Sequence, residues 1–331
     1  LHPRVRRQRQ MCIRDRERTA ADPLVIGGGP CTYNPEPLAD FFDLFYIGEG
    51  EVVYDALFDA YLENRKAGGS RQDFLKKAAG IPGIYVPSLY KAAYHEDGTL
   101  ADFQPLCPEA PKTVEKQLVL DFDSVSYPEA PVVPYLKAAQ DRVVLEIQRG
   151  CIRGCRFCQA GMIYRPLREK NLKTLKEKAE AMLRSTGYEE ISLSSLSSSD
   201  YSQLPELLDH LIADCDRRHV NISLPSLRID AFSLDVMSKV QDVKKSSLTF
   251  APEAGSQRMR DVINKGLTEE DILKGAGQAF EGGWNKVKLY FMLGLPTETE
   301  EDILAIAELC EKVAERYYDC LLYTSDAADE L

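Results

Sequence analysis

The sequence lacks the hydrophobic runs that membrane insertion and secretion require. No stretch approaches the ~18 consecutive apolar residues of a membrane helix, and the arginine-rich N-terminus has no apolar signal-peptide segment. The nine cysteines therefore indicate a reducing compartment, where thiols serve as ligands or core residues rather than as disulfides. These features predict a soluble, cytoplasmic protein with no membrane partner.

The sequence has fewer basic than acidic residues, which gives a formal net charge of −11. Such an acidic chain argues against a broad nucleic-acid-binding surface. The two ends look foreign to the rest: MCIRDR (11–16) and LLYTSDAADEL (321–331) resemble read-through of sequencing adaptors. We interpret 1–20 and 317–331 as non-native sequence, the alternative being a disordered basic arm and an acidic tail. We expect the natural protein to continue beyond both ends.

The interior alternates strand and helix, which predicts an α/β protein. Residues 21–64 are expected to form half of a doubly wound domain, with Asn34 capping its first helix. Residues 65–135 hold many of the prolines and predict a connector with a β-hairpin around His95 and Gly98. Predicted elements of the first part are strands 24–29 and 44–47 and helices 35–42 and 52–64.

Residues 136–316 show five successive strand–helix units. Strands of near-continuous Val, Ile and Leu between amphipathic helices imply a parallel sheet. Five units are too few for a closed eight-stranded barrel, so a partial, open barrel is expected. Helix starts are marked by Thr174 with Glu177 and by Thr268 with Asp271. Predicted strands are 143–148, 190–194, 221–224, 246–250 and 286–292, and predicted helices are 174–185, 203–215, 233–240, 268–280 and 300–314.

Three cysteines follow the first of these strands, in the sequence QRGCIRGCRFCQAG (148–161). Cys151, Cys155 and Cys158 have a spacing that also suits one helix face, but the glycines before two of them disfavour a helix interior. Zinc usually takes four ligands, commonly from two pairs, and there is no second pair. A ferredoxin-type cluster requires a nearby fourth cysteine, which is also lacking. A loop that holds a four-iron cluster by three thiolates is the favoured interpretation, with zinc and core cysteines as alternatives.

This CxxxCxxC pattern, with Phe157 before its last cysteine, resembles the signature of the radical S-adenosylmethionine (SAM) superfamily. The resemblance implies that Cys151, Cys155 and Cys158 hold a [4Fe–4S] cluster whose open iron binds SAM. It also implies reductive cleavage of SAM to a 5′-deoxyadenosyl radical, with electrons from a donor such as flavodoxin or ferredoxin. The implied fold is a partial (βα)6 barrel with its site at the carboxyl ends of the strands.

The same resemblance implies SAM-binding roles for residues at later strand ends. Ser194 and Ser197 stand where the superfamily has Gly-Gly-Glu, although a polar loop is the alternative. Arg228 is placed to pair with the SAM carboxylate, or else with neighbouring Asp230. The remaining positions are Glu253 and Ser256 near the ribose or methionyl group, with helix capping as the alternative, and Leu295 and Pro296 at the adenine.

Residues 22–316 resemble a bacterial subgroup of unassigned reaction, in which a cobalamin-binding-like, flavodoxin-like domain precedes the radical SAM barrel. Residues 26–51 match the latter half of that domain, but the D-x-H-x-x-G cobalamin loop is missing. Cobalamin is therefore implied for the intact protein and not for this fragment.

The reaction and its substrate stay open at this stage, as does the oligomeric state. RNA or ribosome modification and cobalamin-dependent methyl transfer are both consistent with the resemblance. Methylthiolation would need three further cluster cysteines, which 21–140 does not supply. A non-catalytic iron–sulfur protein for electron transfer or redox sensing is the alternative from another class.

Overall fold

The computed structural model describes residues 19, 22–224, 228–231 and 248–326. The chain divides into two compact units, one up to Asp121 and one from Phe122 onward. This division precedes the boundary expected at residue 135, and Tyr127 packs against a core of the second unit. No helix within the described ranges has the length and hydropathy of a membrane span.

The first unit contains a three-stranded sheet, in which β1 and β2 are parallel and β3 is antiparallel to β2. Helices α1 and α2 contribute Leu57 and Phe74 to a core that also holds Leu44 and Ile84. The expected hairpin is present as β4 and β5. The elements are β1 (Ile26–Gly27), β2 (Leu44–Tyr46), α1 (Tyr54–Lys66), α2 (Arg71–Ala79), β3 (Ile84–Tyr85), β4 (Tyr90–Tyr94) and β5 (Leu100–Pro105).

Two local predictions in this unit need correction. The expected helix at 35–42 is a 3-10 helix over Glu36–Phe41. Asn34 does not cap it, because a preceding 3-10 turn over Pro30–Tyr33 ends at Asn34. Helix α2 was not predicted at all and begins with a capping box formed by Ser70 and Asp73.

Apart from the short antiparallel pair of β7 and β8, the second unit alternates parallel strands with helices, as the sequence predicts. Strands β6, β9 and β10 form one sheet with β9 in the centre, while β11 and β12 form another parallel pair. The strands are β6 (Val143–Glu146), β7 (Gln148–Arg149), β8 (Arg168–Glu169), β9 (Glu190–Ser194), β10 (Asn221–Ser223), β11 (Leu248–Glu253) and β12 (Val287–Phe291). The helices are α3 (Gln159–Ile163), α4 (Leu172–Thr186), α5 (Leu204–Arg218), α6 (Gln257–Val262), α7 (Glu269–Glu281) and α8 (Glu300–Asp326). The predicted helix at 233–240 and residues 246–247 lie outside the described residues.

Alternate residues of the strands serve the two faces of these sheets. On one face, Leu145 and Leu193 pack into a core with α4 and α5, and Phe250 packs into a second core with α7 and α8. Apart from Val144 and Ala251, the alternating positions carry polar side chains: Glu146, Ser192, Ser194, Asn221, Ser223, Thr249, Lys288 and Tyr290. The apolar face is covered by helices, which leaves a polar face on the opposite side of the strands.

The two predicted helix caps of this unit differ in outcome. Thr268 and Asp271 form the expected capping box of α7. Thr174 is wrong as a cap, because α4 begins at Leu172 and its cap is Asn171, whose side chain accepts a hydrogen bond from the Lys173 N–H at 2.9 Å.

Candidate cofactor site

The cluster loop, residues 150–158, leaves the carboxyl end of β6 through the short strand β7 and ends at α3. Gly150 has φ +93°, and an added Cβ would lie 2.5 Å from the Pro166 carbonyl oxygen. Only glycine fits this conformation and this close approach without strain. The loop therefore turns sharply at the residue before Cys151.

All three cysteines are free thiols and partly exposed. The Arg153 N–H donates to Cys151 Sγ at 3.4 Å. Cys158 caps α3, and its Sγ accepts a hydrogen bond from the Gly161 N–H at 3.3 Å. These two N–H donors fix the positions of the Cys151 and Cys158 sulfur atoms within the loop.

The donor set of the cluster loop is three partly exposed thiols. Among the residues that the structure describes, no group of three or more His, Cys, Asp or Glu side chains is arranged to hold a metal ion. Thiolates are the usual protein ligands of [4Fe–4S] clusters, so the chemistry of this donor set is compatible with such a cluster.

A network of ion pairs joins the cluster loop to the ends of β9 and β10. Arg153 donates to both oxygens of Asp200, with Nε–Oδ2 3.0 Å and Nη2–Oδ1 2.5 Å. Burial raises the pKa of the Asp200 carboxyl, but hydrogen bonds such as those from Arg153 outweigh it, so the pKa lies below its usual value. Asp230 lies 3.8 Å from Arg153 and also accepts a bidentate pair from Arg228 at 2.9 and 3.0 Å.

Arg228 therefore forms the ion pair that was the alternative to binding the SAM carboxylate. Its backbone N–H also donates to Ser199 Oγ at 3.0 Å. The contact with SAM stays a prediction.

The serine stretch after β9 is largely enclosed. The Ser194 carbonyl accepts a hydrogen bond from the Ile147 N–H at 3.1 Å, which extends the pairing with β6. Ser197 is 3% exposed, and its carbonyl accepts from Gln148 Nε2 at 2.6 Å. The stretch thus lies beside the start of the cluster loop, and the SAM-binding roles of Ser194 and Ser197 remain untested.

Glu253 ends β11 in the left-handed region, with φ +69°. Such a conformation costs about 1–3 kcal/mol for a residue other than glycine and occurs preferentially at functional sites. Its Oε1 lies 3.3 Å from Lys265 Nζ. Asn264 and Thr297 also have positive φ, so three of the four such residues outside glycine within the described ranges lie around this site.

Ser256 is a helix cap in this structure, which was the alternative to contact with SAM. Its hydroxyl accepts a hydrogen bond from the Met259 N–H at 3.1 Å and donates to Asp302 Oδ1 at 2.5 Å. Hydrogen bonds from Arg258, Ser256 and Thr299 hold the pKa of Asp302 well below its usual range. The hydroxyl thereby ties the start of α6 to the start of α8.

Leu295 and Pro296 differ in their surroundings. Leu295 is 7% exposed and packs with Ala254, Met259 and Ile263. Pro296 is exposed on the turn that follows β12. Their predicted place at the adenine is not tested by these contacts.

Five residues that form hydrogen bonds or ion pairs in this region were not identified from the sequence: Asp200, Arg260, Asn264, Lys265 and Asp302. Asp200 ends the serine stretch, and Asn264 and Lys265 follow the E-A-G-S segment. A signal for Asp200 was available, because an acidic residue at a strand end is suited to pair with a loop arginine. Nothing in the sequence alone indicates that Arg260 is buried.

Comparison with protein families identifies the class of this chain. Residues 145–310, half of its length, match the model of the Radical SAM superfamily, and residues 5–87 match that of Radical SAM proteins, N-terminal. The chain therefore belongs to the radical SAM superfamily, which confirms the resemblance drawn from the cysteine motif.

Among similar proteins, Uncharacterized protein MJ0966 of Methanocaldococcus jannaschii is 34% identical over 91% of this chain and 59% of its own length. Uncharacterized methyltransferase PH0819 of Pyrococcus horikoshii is 23% identical over 88% of this chain and 58% of its own. The chain thus spans about three-fifths of the curated relatives that it matches.

A solved structure of similar fold is the radical SAM methyltransferase TsrM from Kitasatospora setae, with cobalamin and a [4Fe-4S] cluster bound. Its TM-score is 0.53 at 14% identity, covering 87% of this chain and 55% of that one. This likeness confirms the fold class: an α/β domain followed by a partial barrel.

Proposed function

We propose that this chain is part of a radical SAM enzyme in which Cys151, Cys155 and Cys158 hold a [4Fe–4S] cluster. When bound, the cluster and SAM together supply a 5′-deoxyadenosyl radical that abstracts hydrogen from the substrate. The observation that carries the proposal is the placement of three accessible thiols on one loop at a strand's carboxyl end. The residues that match the superfamily model, 145–310, include that loop.

The chain's own residues bind and orient the cofactors in this proposal. Arg153 and its partner Asp200 fix the first half of the cluster loop, and Arg153 also offsets the negative charge of the thiolates. Phe157, the 37% exposed aromatic residue before Cys158, is proposed to belong to the cofactor site. Ser194, Ser197, Arg228, Glu253, Ser256, Leu295 and Pro296 are proposed to line the SAM site.

The polar face of the strands supports a polar substrate. Its hydroxyl, amide and charged groups suit hydrogen bonding rather than the binding of a hydrocarbon. Relatives with methyltransferase and methylthiotransferase names are both similar to this chain. Methyl transfer is favoured because residues 21–140 lack three grouped cysteines. RNA and other polar substrates are both compatible with this face.

The proposed partner is a one-electron donor such as flavodoxin or ferredoxin, and the proposed location is the cytoplasm. Cobalamin is proposed only for the longer protein. A non-catalytic iron–sulfur protein remains the competing function, and it differs by having a fourth protein ligand to the cluster.

Electron paramagnetic resonance distinguishes the two functions. The protein is loaded anaerobically with iron and sulfide, reduced with dithionite and titrated with SAM. We expect about four irons per chain and a signal that changes when SAM is added. A reducible cluster whose signal ignores SAM would support the electron-transfer function instead.

A further inference from the structure

We infer that residues 262–265, the last residue of α6 and the three that follow it, position the cluster loop, and that Asn264 and Lys265 are the positioning residues. This inference rests on the proposed function, since it concerns the loop that is proposed to hold the cluster. Neither residue belongs to the cysteine motif or to the predicted SAM contacts.

Backbone and side-chain hydrogen bonds join the two segments across more than 100 residues of sequence. The Arg156 N–H donates to the Ile263 carbonyl at 2.9 Å, and the Arg156 guanidinium donates to the Val262 carbonyl. Asn264 Nδ2 donates to the Gly154 carbonyl at 2.9 Å. These bonds hold the residues on both sides of Cys155.

The Asn264 side chain also packs closely against Gly154. A Cβ added to Gly154 would lie 2.8 Å from Asn264 Nδ2. Asn264 itself has φ +53°, a conformation that asparagine tolerates better than most residues. One residue thus both turns the chain after α6 and donates to the cluster loop.

Lys265 adds a charged contact on the other side of Cys155. Its side chain is 12% exposed, and its Nζ lies 3.3 Å from Glu253 Oε1 and 5.8 Å from the centre of the Phe157 ring. A cation at this distance from an aromatic ring is attracted to it. Lys265 therefore connects the strained end of β11 to the residue next to Cys158.

The consequence is a loop whose cysteines keep their positions while a cofactor binds. Loss of one positioning contact would leave the thiols able to bind iron, but would make the open iron less well placed for SAM. The expected effect lies in the response of the cluster to SAM rather than in the iron content.

The test compares variants of the loaded protein by SAM titration of the reduced-cluster signal. Asn264→Asp keeps the size and the tolerance of positive φ, but places a carboxylate against the Gly154 carbonyl. We expect its half-saturating SAM concentration to rise about tenfold, from the lost hydrogen bond together with the repulsion between the two oxygens. Asn264→Gly, which removes the donor without the repulsion, should give a smaller rise.

The second pair of variants concerns Lys265. Lys265→Met should raise the half-saturating SAM concentration as well, and Lys265→Arg should keep most of the wild-type response because it keeps the charge.

Asn34→Asp, at an exposed site in the first unit, is the control for the negative charge that Asn264→Asp adds, and its SAM response should match wild type.

Iron content and the thermal midpoint of the iron-free protein are measured for every variant. Normal values together with a weaker SAM response support the inference. A wild-type response in the Asn264 and Lys265 variants overturns it, as does a loss of SAM response that only follows lost iron or unfolding. If wild type itself binds no cluster, or its signal ignores SAM, the proposed function fails as well.

Discussion

At the residue scale, Arg260 is the clearest case of a buried charged group held mainly by backbone carbonyls, with one further hydrogen bond from its Nη2 to Gln257 Oε1 at 3.0 Å. It is 0% exposed, and its guanidinium donates to the carbonyls of Ala254, Gly255 and Leu267 at 3.1, 2.7 and 3.1 Å. Burial lowers its pKa from the usual value. The residue fastens the backbone on either side of α6, next to Glu253.

Replacing Arg260 should therefore be costly. Arg260→Met keeps much of the volume but leaves buried carbonyls without donors, and we expect a loss of about 3 kcal/mol or more in the free energy of unfolding. Urea denaturation measures this loss. Arg184→Met, at an exposed i,i+4 pair with Glu180, is the control and should change the value by about 0.5 kcal/mol or less. Equal effects of the two substitutions would contradict the account.

The sequence predicts the individual site residues that form a local pattern, but not those that reach the site from distant parts of the chain. Cys151, Cys155 and Cys158 were found because their spacing is a local property of the chain. Asp200 and Asn264 reach the same loop from segments that follow β9 and α6, and their partners lie 47 and 110 residues away. Pairings of that range depend on the tertiary fold, which spacing alone does not contain.

At the scale of elements, the closest approach in the site lies between the E-A-G-S segment and α8. An added Cβ at Gly255 would lie 2.2 Å from the Ile306 nitrogen and 2.4 Å from the Ala305 carbonyl carbon. Backbone atoms of a helix cannot move aside as a flexible side chain does. Glycine is therefore required here for packing rather than for a turn.

Gly255→Ala should displace α8 and weaken the hydrogen bond between Ser256 and Asp302. We expect a loss of about 1–3 kcal/mol in stability, which is typical of overpacking, and thermal unfolding measures it. Gly28→Ala is the matched control, because no atom lies within 4 Å of its added Cβ. An unchanged midpoint for Gly255→Ala would show that this contact is not as tight as described.

The elements themselves were largely predictable. Strand β9 matches its prediction residue for residue, and its Ile191 and Leu193 alternate with polar residues, as expected for a strand with one buried apolar face. Helix α2 was missed although Ser70 and Asp73 carry a capping signal, since the prolines after it favoured a connector. The cap of α4 was misplaced because Thr174 and Asn171 both suit helix starts, and only the structure shows which one accepts the hydrogen bond.

At the scale of the whole molecule, the chain combines a helix-covered apolar face with a polar face along the same strands. The cluster loop follows β6, Asp200 lies in the segment after β9, and Glu253 is the last residue of β11. Active sites of barrel folds lie at that end. Because the chain covers 59% of its relative from Methanocaldococcus jannaschii, the substrate is to be sought with the longer protein.

The central claim is that three cysteines bind a cluster at which SAM is cleaved. The direct measurement is mass spectrometry of 5′-deoxyadenosine after anaerobic loading with iron and sulfide, reduction with dithionite and addition of SAM. We predict deoxyadenosine from wild type and from Cys310→Ala, an exposed cysteine on α8. We predict none from Cys151→Ala, Cys155→Ala or Cys158→Ala. A fully loaded, reducible wild-type protein that forms no deoxyadenosine, here and in the full-length protein, would contradict the account.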